Sequence, residues 1–123
     1  MVQLQPTRQV LLNAVTATTT SVGMGVNNAG RLSIQVIAAG ISAGNGVFTV
    51  EVSNDGTNWI AYNRLTTNVT NTNVQNDTRV ASVTLSSNTS AFLFFPPGDT
   101  FMSFRVICTR TTDGNYSAVA FVS

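Results

Sequence analysis

Apolar and polar residues alternate with a period of two through most of this chain. In residues 31–37, Leu32, Ile34 and Val36 fall on one face, and Arg31, Ser33 and Gln35 on the other. That period marks a half-buried strand. Residues 47–53 repeat it, with Phe48, Val50 and Val52 inward and Thr49 and Glu51 outward. Between the two runs, the Asn45-Gly46 pair predicts a tight hairpin turn. Asn54-Asp-Gly-Thr-Asn58 predicts another, with Gly56 at positive φ and Asn54 or Asp55 bonded to backbone. A third strand follows over 59–62, then a polar loop of Thr and Asn over 66–78.

The second half continues in the same way. Residues 79–85 put Ala81, Val83 and Leu85 on one face. Residues 91–95 are apolar throughout and stop at Pro96-Pro97-Gly98-Asp99. Residues 101–110 align Met102, Phe104, Val106 and Cys108, and Asp113-Gly114 turns the chain into a last strand over 116–122. Upstream, 10–15 reads as a strand, and the Thr-rich 16–26 either as another strand or as part of an arm. Good helix formers are scarce. About 7–8 short strands with turn chemistry between them predict an all-β fold, an antiparallel β-sandwich or jelly-roll-like barrel. One domain spans 9–123. Residues 1–8, in which nothing alternates, read as a flexible N-terminal arm.

The Phe-rich strand breaks the pattern. Phe92 and Phe94 point one way; Ala91, Leu93 and Phe95 point the other. Both sets are apolar, so both faces need cover. Two readings remain: a subunit interface that includes Leu93 and Phe95, or a strand buried between sheet and loop.

Composition narrows the chemistry. Charged residues are 9% of the 123, there is no His, and the net charge is +1. All six basic residues are Arg. Without His there is no imidazole base and no His metal ligand. Without Lys there is no Schiff base or phosphate-loop lysine. One Cys allows no internal disulfide and no Cys-cluster zinc site. Cys108, on an apolar face, reads as a buried thiol. The charge is too small for a nucleic-acid or anionic-membrane footprint, so neither partner is expected. No segment approaches the length that spans a bilayer, and the start lacks a signal-peptide layout, so the four Asn-X-Ser/Thr sites are expected to stay unused.

Candidate sites are few. Asp55, Asp99 and Asp113 sit beside turn glycines, where Asp bonds to local backbone, so no catalytic pair is expected. The run 53–58 lacks the acidic spacing of a calcium loop, and no metal or cofactor is expected. Trp59, Tyr62 and Tyr116 are candidates for a sugar-stacking platform, and against it Trp59 reads as a core or subunit contact. Arg64, Arg79, Arg105 and Arg110 are candidates for an interface, because the planar guanidinium suits fixed protein contacts.

The run Phe48-Thr-Val-Glu-Val-Ser-Asn-Asp-Gly-Thr-Asn-Trp59 resembles small β-sandwich virion proteins of tailed bacteriophages, and the likeness extends over about residues 31–62. The family brings no catalytic residues. The resemblance, with a Lys-free and nearly neutral chain of this size, implies a non-enzymatic capsid decoration (cement) protein. Such a protein is expected in the virion, assembled in the bacterial cytoplasm. Its expected partner is the major capsid protein, and it is expected to be a homo-oligomer, often a trimer in that group. The alternatives are a carbohydrate-binding module on a phage appendage and a tail or neck component.

Overall fold

The computed structural model describes residues 7–26, 31–68, 79–96 and 98–122. They form two antiparallel sheets packed face to face, with no helix. The first sheet, A, is built from β1 (Thr7–Val15), β11 (Asn115–Val122), β4 (Leu32–Ala39), β9 (Ser90–Phe94) and β7 (Thr66–Thr67), in that spatial order. In the second, B, β2 (Thr19–Thr20) is followed by β10 (Ser103–Thr111), β5 (Asn45–Ser53) and β6 (Ile60–Tyr62). There β3 (Met24–Gly25) also pairs with β10, and β8 (Ser82–Leu85) with β5. The single β-sandwich domain predicted from the alternation is the observed fold. The strand number is higher because the Thr-rich stretch and residues 66–67 contribute two-residue strands.

Alternation decides what lies between the sheets. Leu32, Ile34, Val36 and Ala38 of β4 point inward, beside Tyr116, Ala118, Ala120 and Val122 of β11. Sheet B answers with Phe48 and Val50, Phe104, Val106 and Cys108, and Val83 and Leu85. Phe48 meets Tyr116 edge-on across the layers, with ring centroids 6.1 Å apart. Burial pushes the Cys108 thiol up to about 11, so it stays protonated as a small apolar filler.

Three expectations need correction. Asn45-Gly46 is not a turn: both residues lie in β5, and β4 and β5 belong to different sheets. Gly46 is required by space rather than by φ, since a Cβ there would come within 2.5 Å of the Tyr116 ring. The chain instead crosses between sheets over residues 40–44, starting at Gly40 with φ of 66°. Met102 precedes β10 and is exposed, and Ala81 lies outside β8 and is also exposed. Thr7 and Arg8, assigned to the arm, pair with Val122 and Phe121 in β1; residues 1–6 lie outside the described residues.

Among the described strands, only β5 and β6 are both consecutive and directly paired. Their turn is built as the Asn-Asp-Gly run predicts. Gly56 has φ of 74°, and Asp55 Oδ1 accepts the N–H groups of Thr57 and Asn58 at 2.9 and 2.8 Å. The other described connections lead to a strand that pairs elsewhere. The sandwich is therefore closed by contacts between residues distant in sequence.

Candidate interaction surface

The outward face of sheet A is the most unusual surface of the molecule. The antiparallel register places residues side by side across it. One row runs Val10, Val119, Gln35, Phe92; the next runs Arg8, Phe121, Ser33, Phe94, Thr66. Phe92 and Phe94 stack with centroids 5.7 Å apart and an interplanar angle of 15°. Val10, Phe92, Phe94 and Phe121 are 43%, 37%, 41% and 46% exposed. The outward positions of β4, β9 and β11 carry no charge; their polar groups are Ser33, Gln35, Ser90, Asn115 and Ser117.

The Phe-rich strand thus has a wet apolar face, but not through the residues expected. Leu93 is fully buried between the sheets, so no partner can reach it. Phe95 leaves the strand and packs on Tyr62, Phe101 and Phe104, with centroids 5.1, 5.4 and 5.6 Å away. The outward set is Phe92 and Phe94. Val10, Val119 and Phe121 complete it and were missed, although 116–122 is apolar at both parities and carried the signal.

The four arginines do not form one strip. Arg105 points outward from sheet B, where its Nη2 lies 2.7 Å from Glu51 Oε1 of the adjacent strand. Its guanidinium also sits 4.5 Å from the centre of the Trp59 ring. Arg110, five residues along the same strand and therefore on the opposite face, donates from Nε to the Gly114 carbonyl at 2.8 Å. Arg64 donates from Nε to Asp99 Oδ2 at 2.7 Å, and Arg79 adds to the positive field at that carboxylate.

Trp59 is half-buried on the outer side of sheet B, not in the core. Arg105 covers its ring, and its edge leaves no room for a Cβ on Gly23. Tyr62 is buried and donates its hydroxyl to Asp99 Oδ2 at 2.5 Å; burial, then Asp99, raises the phenol well above its ordinary range. Tyr62 offers no open ring for sugar stacking, and Arg105 occupies one face of Trp59.

Each described acid has a structural task. Asp113 accepts N–H groups from Ser42, Ala43 and Gly44 at 3.2, 3.1 and 2.9 Å, fixing the inter-sheet crossing. Those bonds hold its carboxyl below the usual range. Asn58 and Thr57 do the same for Asp55, and Arg64 then Tyr62 for Asp99. Glu51 holds Arg105. Asp77 lies outside the described residues. Among the described residues no group of three His, Cys, Asp or Glu is placed to hold a metal. An open cleft of about 590 Å³ lies at one end of the sandwich, between Ile60, Tyr62 and Phe101, with Asp55 and Asp99 on its rim.

No family model and no curated protein matches this sequence. The fold is similar to the crystal structure of the SPBc2 prophage-derived protein YomS. That likeness covers 100% of this chain and 98% of YomS, with a TM-score of 0.68 at 10% identity. PirA aligns over 98% of this chain and 96% of its own with a TM-score of 0.49 at 8% identity, too distant to bear on the fold. The first likeness shows a shared β-sandwich along the whole of both chains.

Proposed function

We propose that this chain is a non-enzymatic structural protein of a bacteriophage particle, of the capsid decoration type. The observation that carries the reading is the apolar face of sheet A, uncharged over β4, β9 and β11, on a sandwich similar to that of a prophage-derived protein. Contiguous exposed aromatic surface of this kind is a mark of protein–protein contact. The acids support the same reading, because the four described are committed to turns, crossings and ion pairs rather than to a shared catalytic centre. The buried ring of Tyr62 and the Arg105 guanidinium over one face of Trp59 favour it over a carbohydrate-binding module.

The mechanism is mass action. A protein that binds only the assembled shell lowers the free energy of that shell, and an oligomer multiplies weak single contacts with the major capsid protein. Capsids lacking the protein are expected to rupture at lower temperature and milder osmotic shock than capsids to which it has been restored. Equal resistance of the two would overturn the cement role.

A further inference from the structure

We infer that the outward face of sheet A is the two-fold interface of a homodimer, its occupant being the same face of a second copy. The inference deepens the reading above by naming the occupant of that face, and rests on it only for the role the dimer plays.

Four observations lead to a second copy. The first is charge. Outward positions on β4, β9 and β11 are apolar or uncharged, and the chain's net charge is +1, so two such faces meet without repulsion. The second is hydrogen bonding. Ser33, Gln35 and Ser117 each carry a donor and an acceptor, so the one nearest a two-fold axis can pair with its own copy and the others can meet a partner of either kind. The third is area. With strands about 4.8 Å apart and about 3.4 Å per residue, the five strands of sheet A present a plane of about 500 Å². Two such faces together come to about 1,000 Å², the least that a specific interface is expected to bury.

The fourth concerns the alternative. A ring or trimer needs two different complementary patches on each copy. Elsewhere among the described residues Val22, Ile60 and Met102 are 70%, 71% and 60% exposed, and Ile60 lies on the cleft whose rim carries Asp55 and Asp99. Docking the uncharged face there would dehydrate two carboxylates with no cation among its central residues to meet them. Self-pairing avoids this. Arg8 and Arg31 both lie at one end of the face. An axis running across the strands keeps the two basic ends apart, whereas an axis along the strands would stack them.

Light scattering on the eluting full-length protein tests this, from low micromolar to near-millimolar concentration. The expected mass is twice the 13.0 kDa of one chain, persisting in molar salt because the contact is apolar. The double variant Phe92→Ser/Phe94→Ser is expected to elute at half the wild-type mass, with an unchanged circular dichroism spectrum. Phe121→Asn, on a different strand of the same face, is expected to weaken the dimer at least tenfold. Ile60→Asn, in the cleft, is expected to leave it intact. A monomer throughout, a trimer, or a dimer indifferent to both face variants would overturn the inference. A monomer that still binds capsid shells would sink the dimer alone; a dimer that ignores shells would sink the particle role alone.

Discussion

Asp113 joins segments 69 to 71 residues apart by accepting three backbone N–H groups of the crossing between sheets. Its folded-state carboxyl is depressed below 3.8, so its contribution is complete above that value and is lost as pH falls through the carboxylate range. Asp55 and Asp99 act in the same direction. Melting temperature is therefore expected to be flat down to about pH 5 and to fall below it. Asp113→Asn is expected to melt several degrees lower at neutral pH and to lose less on acidification. A variant with the wild-type acid profile would contradict this. Gly46 supplies a second test at the same scale. Its lack of a Cβ makes room for the Tyr116 ring, so Gly46→Ala is expected to cost about 1–3 kcal/mol by overpacking. A chemical denaturation curve unchanged by that substitution would contradict the packing role. Sequence reading gives both residues as turn formers, which holds for Asp113 and fails for Gly46, a residue of β5. What it lacked was the distant partner: the crossing held by Asp113 and the ring against Gly46 are made by folding, not by neighbours in the chain.

At the scale of the element, β9 shows how one strand can serve two surfaces. Ala91 and Leu93 fill the space between the sheets, while Phe92 and Phe94 stack on the outside. Leu93→Ala is expected to destabilise the protein by about 2–5 kcal/mol through the cavity it leaves. Phe92→Ser is expected to leave unfolding of the dilute monomer nearly unchanged, because its ring contacts solvent on one side. Equal losses in a denaturant titration would show that the outward face is covered within the chain itself. The period of two gave β4, β5, β10 and β11 almost to their ends, because each has one core face and one outer face. It also exposed the two-sided apolar character of β9. Periodicity could not say which parity faced inward there, and Leu93 and Phe95 were accordingly placed at an interface that Phe92 and Phe94 occupy instead. The arginines were legible as contact makers but not as separate ones. Arg105 and Arg110 share a strand yet point to opposite faces, and Arg64 is held by an Asp 35 residues away.

At the scale of the whole molecule, the two sheets are stitched by a chain that changes layer at most connections. That topology leaves sheet B with charged and capped outer groups, such as the Glu51–Arg105 pair beneath Trp59. Sheet A is left with an outer face of mainly Phe, Val, Ser and Gln, with Arg8 at one end. The contrast between the two outsides is the basis for reading the chain as a contact protein of a particle. The central claim is that the chain binds an assembled phage shell, and quantitative co-sedimentation with purified shells tests it most directly. The account predicts saturable pelleting at a fixed ratio to the capsid subunit. Protein that stays in the supernatant at every concentration would contradict it.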